Sequence, residues 1–113
     1  MISVMFKINL KVEIHVYKPN WVIKQGNLAY HDSRYRIYIN NDLITERNWI
    51  WHNIFLIENI WLQSTELDYK VKLDPILIKN PAQAVFSIKN LNVINYQADM
   101  NKINDLQVNF TLR

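Results

Sequence analysis

The chain has 113 residues, half of them hydrophobic, a formal net charge of +3 and no cysteine. That length and composition predict one domain with a sizeable core and argue against disorder. The missing cysteines exclude disulfides, thiol catalysis and cysteine-ligated zinc. The mild positive charge is dispersed, whereas a nucleic-acid reader usually gathers its basic groups on one face. One glycine and three prolines are few for a turn-rich chain. Asparagine is abundant and can take their place, because it tolerates left-handed backbone angles and hydrogen-bonds its own chain in turns.

Residues 2–17 carry the clearest pattern. Ile2, Val4, Phe6, Ile8, Leu10, Val12, Ile14 and Val16 occupy every second position. A period of two places all eight on one face of a strand. The run exceeds ordinary strand length, which predicts a bend or bulge near Asn9 that lets the strand serve two sheets. The same alternation lacks the continuous apolar core of a signal peptide.

Lys18-Pro19-Asn20 breaks the strand, and Trp21-Val22-Ile23 reads as a short edge strand. Lys24 to Asn27 reads as a turn and Leu28 to Ser33 as a loop. Tyr35, Ile37 and Ile39 then alternate with Arg34, Arg36 and Tyr38. Asn40-Asn41-Asp42 supplies a hairpin turn, and Leu43 to Arg47 returns. A three-residue loop would pair Ile39 with Leu43; an Asn41-Asp42 loop would pair it with Ile44.

Asn48 to Asn53 reads as a polar-aromatic connection around Trp49 and Trp51. In the next segment Ile54, Leu56, Ile60 and Leu62 share a face with Glu58 intruding, while Phe55, Ile57 and Trp61 make the other face apolar too. That pattern predicts an interior strand, or one covered by another subunit. Its longest apolar run, Ile54 to Ile57, stops at Glu58, far short of a membrane span. Helical periodicity over Asn48–Leu62 is outweighed by its Ile, Phe, Trp and Asn content.

After a turn at Gln63–Glu66, Tyr69, Val71 and Leu73 alternate in a strand that Asp74-Pro75 is expected to end. A short apolar Ile76 to Ile78 is bracketed by Lys79-Asn80-Pro81. Ala84, Phe86 and Ile88 alternate, and Leu91 and Val93 follow in the opposite phase, which predicts a bulge or bend at Lys89-Asn90. Tyr96 to Asn104 reads as a polar loop. Leu106, Val108, Phe110 and Leu112 make a closing strand. Eight to ten short strands without a helix predict an all-β domain spanning 1–113, an antiparallel β-sandwich of jelly-roll type, with a closed oligonucleotide-binding barrel as the alternative.

Chemistry-bearing residues are sparse. His15, His31 and His52 have no second histidine or carboxylate at zinc-motif spacing, and read as surface groups. No phosphate loop or nucleophile elbow is present, and no carboxylate pair is marked for glycoside hydrolysis. Asp42 and Glu46, with Asn40, Asn41 and Asn48, form an oxygen-rich cluster that offers calcium candidates, set against ordinary turn chemistry. The aromatics are the stronger lead. Trp49, Trp51, Tyr38, Arg47 and Arg36 are the binding candidates, because this residue set can stack on sugar faces or anchor a protein interface. Trp61 reads as framework, as does Trp51 by preference, which leaves Trp49 and Arg47 as the first residues to mutate.

The segments IYINNDLITERNWIW, IENIWL and VFSIKNLNVIN resemble two kinds of β-sandwich over roughly residues 35–95. One is the small virion-associated structural proteins of tailed phages that infect marine cyanobacteria. Its strand, Asn-rich turn, "L-x-x-E-R" return and "E-N-I-x-V" strand correspond to Ile37–Asn40, Leu43 with Glu46-Arg47, and Glu58-Asn59-Ile60. The other is the calcium-dependent carbohydrate-binding jelly rolls, matched at Arg47-Asn48 and Ile88 to Asn95 but without a glycine after Asn95. The resemblance implies a non-enzymatic virion accessory, decoration or tail-associated subunit. Its expected partners are other virion proteins or copies of itself, and its expected location is the virion. A carbohydrate-binding module with an aromatic platform, with or without calcium, is the alternative, followed by single-stranded nucleic-acid binding through stacked aromatics. No other cofactor is expected.

Overall fold

A computed structural model describes residues 5–17, 33–48, 55–77 and 85–113. Among them lie eight strands and no helix: β1 Phe6–Tyr17, β2 Ser33–Ile39, β3 Asp42–Asn48, β4 Phe55–Ser64, β5 Asp68–Leu77, β6 Val85–Val93, β7 Ala98–Asn104 and β8 Gln107–Leu112. They form two antiparallel sheets, one of order β4-β1-β6 and one of order β3-β2-β5-β8-β7. One apolar cluster draws residues from both sheets, with Ile8, Leu10, Val12 and Ile14 facing Tyr35, Ile37, Val71 and Phe110 across a shared core.

The period of two explains the strand faces. On β1, Ile8, Leu10, Val12, Ile14 and Val16 are buried, and each contributes about 1.5–3 kcal/mol of transfer free energy before entropy is subtracted. β1 does not bend into a second sheet at Asn9: its register against β4 runs unbroken from Phe6 opposite Ser64 to His15 opposite Phe55. Asn9 instead marks where β6 runs out. Ile94 N donates to Asn9 O at 2.8 Å, Asn9 N donates to Asn95 Oδ1 at 2.9 Å, and Asn95 Nδ2 donates to Lys7 O at 2.7 Å. The Asn95 amide thus carries the ladder on where the backbone stops, and spares β1 unmade hydrogen bonds.

The irregularity expected at Lys89-Asn90 is present. Glu13 pairs with Asn90 and Ile14 with Ile88, so Lys89 is an extra residue. That insertion keeps Phe86, Ile88 and Leu91 all buried although their spacing changes phase.

The β2–β3 hairpin differs from both expected loops. Its loop is Asn40-Asn41, with φ of 50° and 71°, and Ile39 pairs with Asp42. Positive φ at both central residues gives a turn whose twist matches the strands, and asparagine tolerates it better than most residues. Asn40 also ties the tip to β5: its N donates to Lys70 O at 3.0 Å, its Nδ2 to Asp68 O at 3.1 Å, and its Oδ1 accepts from Lys70 N at 2.8 Å. A bulge at Ile44 then restores the register of a three-residue loop, so Ile37 faces Thr45 and Tyr35 faces Arg47.

Asp74-Pro75 does not end β5, which continues to Leu77 along β2. β8 pairs with β5 only from Asp68 to Lys72. Leu73 N donates to Leu106 O at 2.8 Å, and Pro75, two residues on, turns its nitrogen to that same side, beyond the end of β8. Proline is tolerated there because that flank needs no N–H. Residues 98–104, expected as loop, form the edge strand β7. Its side chains are almost all exposed, and Ile103 is an unpaired extra residue, so no apolar alternation marked it.

β4 is not an interior strand. Among the described residues it pairs with β1 alone. Its inner face carries Leu56, Glu58, Ile60 and Leu62, and its outer face carries Phe55, Ile57, Asn59, Trp61 and Gln63. The expected edge strand Trp21–Ile23, the connection through Trp49 and Trp51, and Ile54 and Ile78 lie outside the described residues. Two separate sheets replace the alternative of a closed barrel.

Candidate functional site

Three regions bear on the predicted site residues. The first is internal. The register places Arg47 on the same face as Tyr35, toward the other sheet. There Glu58 is buried at 5 % exposure, accepting from the Tyr35 hydroxyl and from Arg47 Nε through Oε1, and from Arg47 Nη2 through Oε2 at 3.0 Å. Burial, then the Glu58 carboxylate, push the Tyr35 phenol well above the ordinary tyrosine range. The hydrogen bond to Glu58 likewise raises Arg47. A bidentate arginine with a phenol satisfies the buried carboxylate from both flanks. Arg47 is therefore not an open recognition group: it clasps β3 to β4 and, with Tyr35, joins the two sheets.

The second surface is the outer face of the five-stranded sheet. Glu46 Oε1 lies 3.2 Å from Arg36 Nε and 3.6 Å from Arg34 Nη1. The Tyr38 hydroxyl and then Glu46 raise the Arg36 guanidinium further above its usual value. Glu46 thus faces two arginines, which is the electrostatic opposite of a calcium ligand waiting for a cation. Asp42 is exposed, and among the described residues no group of three or more histidines or carboxylates could hold a metal ion. Tyr38 borders an open groove of about 780 Å³, whose lining includes Lys72, Asp74, Pro75, Asn104, Asp105 and Gln107. The floor is β5 and one wall is the β7–β8 turn.

The third surface is the outer face of β4. Phe55, Ile57 and Trp61 are 46 %, 50 % and 64 % exposed. Trp61 is not framework; it is the large aromatic turned outward among the described tryptophan positions. Across β1, His15 stacks on Phe55 with ring centroids 5.6 Å apart and lies 2.6 Å from the Glu13 carboxylate. His15 is half-buried rather than free on the surface. Trp49, Trp51, His31 and His52 fall outside the described residues. Strict alternation from the Glu58 position would have marked Trp61 as outward, and hairpin parity with Tyr35 would have marked Arg47 as inward. Among the described residues no helix is long and apolar enough to cross a membrane.

No family model matches this chain, and neither the curated proteins nor the solved structures yield a match.

Proposed function

We propose that the chain is a non-enzymatic structural and interaction module, a phage virion accessory, decoration or tail-associated subunit that packs against other protein chains. The observation that carries the interaction role is the outer face of β4, where Phe55, Ile57 and Trp61 stand exposed in alternation on an edge strand. Exposed apolar side chains gathered on one strand face mark association sites, and among the described residues no strand pairs with the outer edge of this ten-residue strand. The virion assignment rests on the resemblance of residues 35–95. The jelly-roll form of the sandwich belongs to the same reading. In its favour, β1 pairs β4 around the β2–β3 pair, and β1 pairs β6 around the β2–β5 pair, so the chain wraps as two-stranded ribbons. Mass spectrometry of purified particles from a culture carrying the gene tests the assignment. The chain should be a stoichiometric particle component, and its absence from the particles would refute the reading.

A second reading, a carbohydrate-binding surface, draws on the groove beside Tyr38, where a phenol ring, carboxylates, amides and a lysine converge. Pockets of this volume suit small ligands. Calorimetric titration with a glycan panel, with and without calcium, should give heat that disappears in Tyr38→Ala; no heat with any glycan would sink it.

A further inference from the structure

We infer that the occupant of the β4 edge is a second copy of this chain, paired antiparallel through β4 about a two-fold axis at Asn59. The inference rests on the reading that this face packs against protein, and it names the partner and the register.

Among the described residues, three of the four sheet edges carry features that discourage pairing. β3 has a bulge at Ile44 and exposed Asp42 and Glu46. β7 has a bulge at Ile103 and carries Asp99 and Lys102. β6 has its bulge at Lys89. Charges and bulges on an edge oppose addition of another strand. β4 has no bulge and no outward charge: it runs ten residues against β1 without a register shift. Its outward residues Phe55, Ile57, Asn59, Trp61 and Gln63 are all uncharged, and its single charge, Glu58, is turned inward and held by Arg47 and Tyr35. A chain with net charge of +3 meets its own copy most readily through an edge strand whose own outward residues carry none of that charge.

Backbone direction fixes which residues are available. Asn9 N and O bond to Asn95 and Ile94, on the β6 side of β1. Backbone groups alternate sides along an antiparallel strand, so Ile8, Leu10, Val12 and Ile14 bond toward β4. Their partners are Leu62, Ile60, Glu58 and Leu56. The N–H and C=O groups of Phe55, Ile57, Asn59, Trp61 and Gln63 therefore point away from β1, to the edge that no described strand covers.

Self-pairing about Asn59 uses all five. Asn59 lies opposite Asn59 of the second copy, Trp61 opposite Ile57, and Gln63 opposite Phe55. Each pair can exchange two backbone hydrogen bonds, because both members present outward groups. On the outer face, each Trp61 covers an Ile57. On the inner face, Leu56 meets Leu62, both only partly buried within one chain. Shifting the axis to Glu58 would place two carboxylates directly opposite, which is unfavourable. Shifting it to Ile60 would set Trp61 against Asn59 and leave Phe55 beyond the last outward residue. The sequence of β4 thus favours this register over its two nearest alternatives, and the two three-stranded sheets join into one of six.

Sedimentation velocity on the whole chain, from micromolar to submillimolar concentration, tests this. Wild type should sediment at twice 13.6 kDa. Ile57→Lys and Asn59→Pro should both sediment as single chains with unchanged far-ultraviolet circular dichroism. Asn59→Pro deletes an N–H that β1 does not use. Ile103→Lys, a control on the exposed β7 bulge, should remain dimeric. Amide exchange supplies a second readout: the Ile57, Asn59 and Trp61 amides should be protected in wild type and exchange quickly in Ile57→Lys, while the Ile60 amide stays protected in both. A wild-type monomer at every concentration, or a dimer that survives Ile57→Lys, would overturn the inference. A monomer that is still a particle component would remove self-pairing alone; a dimer absent from particles would remove the virion reading alone.

Discussion

Replacing Arg47 by alanine separates the two roles that its position allows. If Arg47 were a surface recognition group, its loss would cost almost no stability, as for exposed charges generally. Here its guanidinium engages a carboxylate that is 5 % exposed, while its own side chain is 41 % exposed. Removing the arginine leaves a buried carboxylate with the Tyr35 hydroxyl. Breaking a fully buried pair costs about 3–5 kcal/mol, and because this arginine is partly exposed the loss should fall at the low end of that range. Glu58→Gln is milder, because the freed arginine can turn to water and the amide oxygen still accepts from Tyr35, so the loss should be about 1–2 kcal/mol. Removing all three groups, as Tyr35→Phe with Arg47→Met and Glu58→Leu, leaves no unsatisfied polar atom of the trio and should approach wild-type stability. Urea unfolding followed by circular dichroism measures the series. With a slope of roughly 1–3 kcal/mol per molar, the alanine variant's midpoint should fall by more than about 1 M. An Arg47→Ala variant no less stable than Glu58→Gln, or a triple variant less stable than Arg47→Ala, would refute the assignment of the trio as an inter-sheet clasp.

Three further predictions follow from the geometry. Tyr35 is raised by burial and by Glu58, so the folded state holds its proton where the unfolded chain releases it; stability should be full below the ordinary tyrosine value of about 10 and fall as pH rises above it, and Tyr35→Phe should flatten that fall in unfolding scans. Asn41 sits at φ 71°, so Asn41→Gly should leave the unfolding midpoint nearly unchanged, whereas Asn41→Val should cost about 1–2 kcal/mol. Deleting Lys89 removes the extra residue that reconciles Phe86 and Ile88 with Leu91; one side of the bulge must then turn outward, and thermal unfolding should show a loss of about 3 kcal/mol or more.

Much of the fold was legible where one face of a strand is dry and the other wet. The alternation of β1, β2, β5 and β8 reports burial directly: every second residue from Ile8 to Val16, Tyr35 to Ile39, Tyr69 to Leu73 and Val108 to Leu112 is inward. The phase change at Lys89 was legible for the same reason, since a bulge leaves its mark on the periodicity. β7 left no mark because both its faces are wet. Pairing was less legible than strands. Nothing local in β1 shows that its neighbours are β4 and β6, because register depends on the distant partner and on bulges such as Ile44. The site suffered from that gap. Arg47 looked like the neighbour of Trp49 in sequence, yet the hairpin register turns it inward to a carboxylate eleven positions later. Trp61 looked like core because both faces of β4 are apolar, and composition cannot say which apolar face is covered.

β4 holds these observations together. Its two faces have opposite assignments, and a single residue separates them at each step. Glu58 looks inward and gives the strand its place against β2 and β3 through Tyr35 and Arg47. Phe55, Ile57 and Trp61 look outward, away from the opposite sheet, with His15 stacked on Phe55. An inward carboxylate on an edge strand is costly unless satisfied, and here it is satisfied by groups from the opposite sheet. That cost fixes the register of β4 more firmly than apolar packing alone, because a one-residue slip would bury Ile57 and expel Glu58 from its clasp. A slip would also carry Trp61 to the inner face. The polar clasp and the apolar outer stripe are therefore one specification: the clasp holds the stripe outward, where it can meet another chain. A variant that relaxes the clasp should weaken association as well as folding. The Glu58→Gln chain, folded but less firmly registered, is the case in which the two effects can be read separately.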